Sequence, residues 1–240
     1  MERSAHIVSA YEEDLSSLNS KIAKMGGLAE QVVGQSLEAL ERRDRTLAER
    51  TIELDEAIDR LEVEIENDVG VMIVKRQPVA YDLRQVMAPF RIATDLERIG
   101  DLGKNIAKRT LATGSEASPR QLMLGLKHMG ELALMQLKEV LDAFMERDAD
   151  HALKVWYKDA SIDSTYNSVF RELLTYMMED PQNIGLCTPL LFGAKNLERI
   201  GDHTTNIAEI VYFVVYGTAI NDRRPKADTT NISFAAVKGM

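Results

Sequence analysis

DLERIGDLGKNIA, residues 95–107, returns almost unchanged as NLERIGDHTTNIA at residues 196–208. Nine of the thirteen positions are identical at an offset of 101 residues. A second pair of segments, residues 43–59 and 147–163, shares six positions at an offset of 104. The change of three in the offset falls between the two matching segments, where a turn accepts insertions at little cost. The sequence therefore predicts a tandem duplication of one unit.

Apolar residues recur at spacings of three and four along the chain, as in LAEQVVGQSLEALERR at residues 28–43. This period is typical of amphipathic helices, and no segment alternates for long enough to predict a strand. Asp44 is a candidate cap for the second helix, and Thr188 with Pro189 is a candidate start for the last. The predicted helices run over about 5–43, 44–76, 81–110, 120–146, 149–178 and 189–216.

The predicted fold class is all-α, with two tandem three-helix bundles made of six long helices. ATGSEASP, residues 112–119, is short, small and polar, which is typical of a linker. We therefore expect the first bundle at residues 1–112, the second at 119–217 and a flexible C-terminal tail at 218–240. Pro89 lies inside the third helix and is expected to kink or restart it.

The chain carries 29 basic and 38 acidic residues, a net charge of −9, so nucleic acid is not expected as a partner and metal ions are favoured. Cys187 is the single cysteine, which excludes a disulfide within the chain and favours a reducing compartment. The N-terminus does not resemble a signal peptide, and the longest apolar run is too short to span a bilayer. We expect a cytoplasmic protein.

Acid pairs four residues apart occur on the second and third helix of each predicted bundle. Such pairs lie on one helix face, and two neighbouring helices can bring four carboxylates together. Clustered carboxylates raise one another's pKa unless a cation lies among them, so each group of four is a candidate metal site. The candidate ligands are Asp55, Asp59, Glu97 and Asp101 in the first bundle, and Asp159, Asp163, Glu198 and Asp202 in the second.

The alternative is that these acids form an ordinary solvated helix face. Against it, Ala93, Gly100 and Ala107 form a stripe of small residues beside the acids, and Gly201 with Ala208 repeats it. Such a stripe permits close approach by a neighbouring helix, although glycine costs about 1 kcal/mol in a helix. His203 follows Asp202 but is expected on the apolar side, and it is the weaker ligand candidate.

No residue pattern predicts an enzyme. None of the four histidines follows a glutamate by three residues, as a ferritin-like di-iron site requires. Glycine-rich phosphate loops are absent from the sequence, and Cys187 has no evident activating partner.

The segments KRQPVAYDLR (75–84), DLERIGD (95–101), LLTYMMEDP (173–181) and NLERIGD (196–202) resemble, in this order, the PhoU family of accessory regulators of bacterial phosphate uptake. The resemblance spans about residues 5–217 and implies two three-helix bundles. It also implies iron or zinc on the eight acids named above. Ligand type alone leaves manganese and magnesium open, because carboxylate sites select poorly among such ions.

The same resemblance implies a non-enzymatic negative regulator of the phosphate starvation response and modulator of high-affinity phosphate import. Its implied partners are a membrane sensor histidine kinase, the ATP-binding subunit of the phosphate ABC transporter and a second copy of the chain. It would reach the membrane through these partners only. Outer faces of the first and fourth helices are the expected contact surfaces, at Glu12, Glu13, Glu131 and Glu139. The alternative function is a purely structural scaffold with no metal.

Overall fold

The structure is a computed structural model that describes residues 2–112, 120–222 and 224. These residues form six long helices and no strand, which confirms the all-α prediction. The helices are α1 Glu2–Arg42, α2 Arg45–Arg76, α3 Ala80–Ala112, α4 Arg120–Glu146, α5 Ala149–Glu179 and α6 Ile184–Tyr216, with a short 3₁₀ helix at Pro181–Asn183 before α6.

The first turn of each bundle is built in the same way. Arg43 and Arg147 both have a φ of 56°, in the left-handed region. The aspartate that follows each of them caps the next helix. Asp44 accepts a hydrogen bond from the Leu47 amide at 2.9 Å, and Asp148 accepts one from the His151 amide at 2.8 Å. Each cap satisfies an amide that would otherwise lack a partner at the helix start, so α2 and α5 begin at equivalent positions.

α6 begins five residues before the predicted start at Pro189, at Ile184. Thr188 is therefore not its cap, and its hydroxyl instead donates to the Ile184 carbonyl at 2.7 Å. Asp180 caps the short 3₁₀ helix that precedes α6, where its carboxylate accepts from the Gln182 amide at 2.9 Å and Pro181 follows it. α3 continues through Pro89 as one helix, so of the predicted kink or restart the restart does not occur.

Two bundles pack side by side. In the first, α1, α2 and α3 contact one another, and in the second α4, α5 and α6 do so. Contacts between α3 and α6, and between α1 and α4, join the halves. Buried residues of both halves, among them Ile22, Ile92, Leu126 and Leu197, belong to one continuous apolar cluster.

The flexible tail expected at residues 218–240 stays a prediction, although its first residues contact the bundle. α6 ends at Tyr216, and Gly217 after it has a φ of 71° and an amide that donates to the Phe213 carbonyl at 2.9 Å. Beyond it, Ile220 packs against the apolar core, and Arg224 reaches acids of α5 and α6. Residues 223 and 225–240 of the predicted tail, and 113–119 of the predicted linker, lie outside the described residues. In the described part, no helix is both long enough and apolar enough to cross a bilayer.

Candidate metal centres

The first cluster, defined as Asp55, Asp59, Glu97 and Asp101, lies where α2 packs on α3. Gly100 makes this contact close: a Cβ atom at Gly100 would lie 2.8 Å from Asp55 Oδ1 and 2.8 Å from Ile58 Cδ1. Asp55 lies within electrostatic range of Asp59 and Asp101, and Glu97 within range of the same two acids. The structure therefore brings the four predicted acids of the first bundle into one neighbourhood.

The second cluster, defined as Asp159, Asp163, Glu198 and Asp202, repeats this arrangement between α5 and α6. A Cβ atom at Gly201 would lie 2.9 Å from Ile162 Cδ1 and 3.2 Å from Asp159 Oδ1. Asp163 and Asp202 act electrostatically on both Asp159 and Glu198. The glycine and the aspartate of the neighbouring helix thus meet in both halves.

The second cluster is more deeply buried than the first. Asp159 and Asp163 are each 1% exposed and Glu198 is 3% exposed. In the first cluster Asp55 is as buried, but the Glu97 side chain is 17% exposed and Asp59 is exposed. Because burial removes carboxylates from water, the second cluster has the greater need of positive charge.

Each cluster contains a cationic side chain between its helices. In the first, the Lys104 ammonium donates to Asp55 and lies 2.6 Å from Asp101 Oδ1. In the second, Arg224 Nε donates to Asp159 Oδ2 at 3.0 Å, and its Nη2 donates to Asp202 Oδ1 at 2.6 Å. Both cations bridge an acid of the second helix and an acid of the third.

Burial raises the pKa of four of these carboxyl groups. For Asp55, burial outweighs the lowering by Lys104, and for Glu97 the neighbouring Asp101 adds to it. Burial raises the pKa of Asp159 to about 6, although Arg224 opposes the shift. Burial also raises the pKa of Glu198, against the effect of Lys195. The cations present therefore compensate the buried charge only in part.

One buried carboxylate oxygen of the clusters, Asp55 Oδ1, has no donor, since Lys104 binds the other oxygen of this group. Glu198 Oε2 is also buried, and its cationic partner is the Lys195 ammonium at 2.9 Å. Buried carboxylate oxygens with spare acceptor capacity, next to cations that neutralise them only in part, fit a site for a hard or borderline metal ion.

The carboxyl oxygens of the two clusters are not drawn together around one point. In the described residues, only Glu146, Asp148 and His151, at the turn between α4 and α5, place three candidate ligand atoms within 4.8 Å of one another. This group was not predicted from the sequence, although three ligand types within six residues were visible there. Glu146 and Asp148 are exposed, and Asp148 already serves as a helix cap.

Several residues that act on the clusters were not predicted from the sequence. Lys104 follows Asp101 by three residues on the same helix, a spacing that predicts contact. Glu62 acts electrostatically on Glu97 and stands one turn beyond Asp59. Arg224 lies 65 residues from Asp159, and no local pattern indicates that contact.

His203 does not join the second cluster. Its Nδ1 lies 2.9 Å from Asp95 Oδ1, and the Asn206 amide donates to the same oxygen at 3.1 Å. Asp95 belongs to α3, so this polar group joins the two halves.

Six helices in two repeats, each with acids on its second and third helix, define a duplicated helical-bundle protein with paired carboxylate clusters. The family profile described as the PhoU domain matches the chain twice, at residues 22–110 and 126–211. The chain belongs to the PhoU family.

Relatives match almost the whole chain. A phosphate-specific transport system accessory protein PhoU homolog of Rhizobium meliloti is 53% identical over 227 residues, which are 95% of this chain and 96% of the relative. The protein of the same description from Caulobacter vibrioides is 47% identical over 224 residues, covering 93% of this chain and 97% of the relative.

Two solved structures share the fold. The crystal structure of PhoU from Pseudomonas aeruginosa has a TM-score of 0.83 and 37% identity, with 87% of this chain and all 100% of that chain covered. The crystal structure of the phosphate transport system regulatory protein PhoU from Streptococcus pneumoniae has a TM-score of 0.82 and 29% identity. The match covers 88% of this chain and 100% of that chain.

Proposed function

We propose that this protein is a non-enzymatic negative regulator of the phosphate starvation response and a modulator of phosphate import. This proposal is supported by relatives that match more than nine tenths of the chain. They are named as accessory proteins of a phosphate-specific transport system. It acts by binding a sensor histidine kinase and the ATP-binding subunit of the phosphate transporter. It works in the cytoplasm and meets the membrane through these partners only.

Deleting the gene from its host tests this regulatory function. Transcription of phosphate-starvation genes is expected to remain high when phosphate is plentiful, because the restraint on the sensor kinase is lost. A plasmid copy of the wild-type gene is expected to restore repression. A deletion strain that still represses these genes in high phosphate would contradict the proposal.

The partner surface is proposed on the outer faces of α1 and α4. Glu12 and Glu131 are exposed there, whereas Glu139 pairs with Lys158 at 2.7 Å and is already engaged within the chain. Reversing Glu12 and Glu131 to lysine is expected to weaken pull-down of the kinase or the ATP-binding subunit. Reversal of Glu53, an exposed acid on α2, is the matched control. Equal binding by both variants would exclude this surface.

The two clusters are proposed as metal centres, with the eight acids named above as ligands and iron or zinc as the favoured ions. A bound ion would supply the positive charge that the buried carboxylates need. Support comes from the partly compensated acids and from Asp55 Oδ1, which has no donor. Replacing Asp101 and Asp202 together with alanine is expected to lower metal content measured by mass spectrometry, with helicity unchanged.

A matched control for that double variant replaces two exposed acids outside the clusters, Glu56 and Glu131. Equal metal content in both double variants would favour the second candidate, a scaffold whose acids bind no ion. One observation supports that candidate: Lys104 and Arg224 already provide partial compensation. A homodimer is proposed as the assembly, and light scattering after gel filtration tests it.

A further inference from the structure

We propose that Arg224 is an internal competitor for the second cluster, so that a metal ion entering there displaces Arg224 from Asp159 and Asp202. The proposal rests on the metal centres proposed above and adds a regulation that only the second one has. The segment concerned, called the docked segment, consists of residues 218–222 and 224.

The contacts of Arg224 are those of a bound cation. Asp159 Oδ2 lies 3.0 Å from Arg224 Nε and 2.8 Å from Nη2, while Nη2 also donates to Asp202 Oδ1 at 2.6 Å. The Arg224 side chain is only 20% exposed and that of Asp159 only 1%. Charge-assisted hydrogen bonds of this length in a partly dry setting are strong. The guanidinium uses the same oxygens that an ion would need.

The two clusters obtain their positive charge from different parts of the chain. In the first cluster, Lys104 of α3 partly neutralises the acids. The equivalent position in α6, 101 residues later, is Thr205. The Thr205 hydroxyl points to its own helix, where the Asp202 carbonyl accepts from it at 2.7 Å. The second cluster thus lacks the lysine at this helical position, and Arg224 supplies a cation from outside the bundle.

Lys104 and Arg224 differ in how far each side chain can move away from its cluster. Lys104 follows Asp101 by three residues on one rigid helix, so its ammonium always remains near the first cluster. Arg224 belongs to a segment without helical structure that follows the end of α6 at Gly217. An ion can therefore exchange with Arg224 by undocking a short segment, which leaves the helices in place.

The docked segment is attached at two further points. Ile220 packs against the core, and the Tyr157 hydroxyl donates to the Asp222 carboxylate. Arg224 is the last described residue of the segment, and its side chain joins the segment to both α5 and α6.

Competition for the same oxygens has a reciprocal consequence. The factor by which Arg224 weakens ion binding equals the factor by which the ion weakens docking of the segment. This coupling factor can be tested by two independent measurements on the full chain. One is the ion affinity after removal of the arginine side chain, and the other is the accessibility of Arg224 when an ion is bound.

The first measurement is calorimetric titration of chelator-treated protein with Zn²⁺, and separately with Mn²⁺. Arg224→Ala is expected to bind about tenfold more tightly at one class of site, a factor that corresponds to about 1.4 kcal/mol. The matched control is Arg42→Ala, which removes the same charge from a side chain that is 70% exposed and paired with Glu38. The control is expected to bind as the wild type does.

The second measurement is modification of the Arg224 guanidinium by phenylglyoxal in the wild-type chain, located by mass spectrometry. Because Nε and Nη2 of Arg224 are hydrogen-bonded to Asp159 and Asp202, docking protects the guanidinium from the reagent. Added Zn²⁺ or Mn²⁺ is expected to accelerate modification of Arg224, with modification of the exposed Arg42 as the internal reference. This measurement needs no variant and remains valid if Arg224→Ala folds poorly.

The outcomes separate the two proposals. Binding of equal strength in the wild type and Arg224→Ala, or a rate of Arg224 modification that a bound ion does not change, overturns the competition and leaves the metal centres standing. Absence of Zn²⁺ and Mn²⁺ binding in both proteins overturns both. Tighter binding in Arg224→Ala together with ion-dependent modification of Arg224 supports both.

Discussion

Arg43 and Arg147 stand 104 positions apart and share a left-handed φ of 56°. Each is followed by a capping aspartate. The amides of Asp44 and Asp148 also donate to equivalent carbonyls of the preceding helix, those of Ala39 at 3.0 Å and Ala143 at 2.9 Å. This bond pattern is that of a Schellman motif, which satisfies carbonyls at the helix end. Both halves therefore reverse direction through the same two residues.

Asp44→Ala is expected to lower the free energy of unfolding by about 1 kcal/mol, because the Leu47 amide loses its acceptor. Asp148→Ala should cost about the same if the two turns are energetically equivalent. Urea denaturation followed by circular dichroism measures both. Glu53→Ala, an exposed change within α2, is the control. A cost for Asp44→Ala no greater than for this control would show that the cap contributes nothing.

Gly100→Ala is expected to destabilise the protein by about 1 to 3 kcal/mol, because the new methyl group would lie 2.8 Å from Asp55 Oδ1 and Ile58 Cδ1. Gly70→Ala is the matched control, since no atom lies within 4 Å of its Cβ position. That control is expected to stabilise α2 by up to about 1 kcal/mol. Thermal unfolding compares them, and stabilisation by both changes would mean that the helices do not meet closely at Gly100.

Asp159→Asn is expected to change the pH dependence of stability in chelator-treated protein. Burial raises the pKa of Asp159 to about 6 in the folded protein, against about 3.9 for an unfolded chain. The folded state therefore holds a proton that the unfolded state releases between these values. Stability from this group is fully present below about pH 4 and is lost as the pH rises through about 6.

Asparagine cannot ionise, so this loss is absent in the variant. Relative to the wild type, Asp159→Asn should gain on the order of 1 to 3 kcal/mol between pH 4 and pH 7. Urea denaturation across this range measures the difference. Asp59→Asn, at an exposed acid of the first cluster, serves as control. A stability difference between Asp159→Asn and wild type that does not vary with pH would contradict the raised pKa.

Asp95 and His203 are expected to be energetically coupled across the junction of the halves. Each single alanine variant removes one partner of the 2.9 Å contact, and a double-mutant cycle should give a coupling of about 0.5 to 1.5 kcal/mol. Asp95→Ala should cost more than His203→Ala, since Asn206 also loses its acceptor. Additive effects of the two single changes would show that the contact contributes no stability.

Local signals predicted most of the helices. α4 begins and ends where predicted, and α2 begins after its predicted cap, Asp44. At α6 the predicted start signal, Thr188 with Pro189, lies inside the helix, which begins at Ile184. Cys187 of the added turn is fully buried. Packing against the rest of the bundle therefore accompanies a helix start that the local signal did not indicate.

The candidate site also has residues that the sequence predicted and residues that it did not. Spacing along single helices predicted which acids share a helix face, because residues four apart do so whatever the helix packs against, while their role as metal ligands stays a prediction. The cations that neutralise them were missed for different reasons. Lys104 was readable from its spacing to Asp101, whereas Arg224 reaches Asp159 across a chain reversal at Gly217. Only the folded chain shows which part of its end lies against α5.

The apolar cluster shared by both halves bears on how the chain unfolds and is made. Since α3 and α6 cover each other, neither bundle can open without exposing core residues of its neighbour, such as Ala88 or Val211, which line one cavity between these helices. Calorimetry should therefore show one heat-absorption peak and not two, despite the repeated architecture. On the ribosome, residues 1–112 emerge long before α6 exists. Until α6 is synthesised, the face of α3 that it covers is an exposed apolar surface, the kind of surface that chaperones bind.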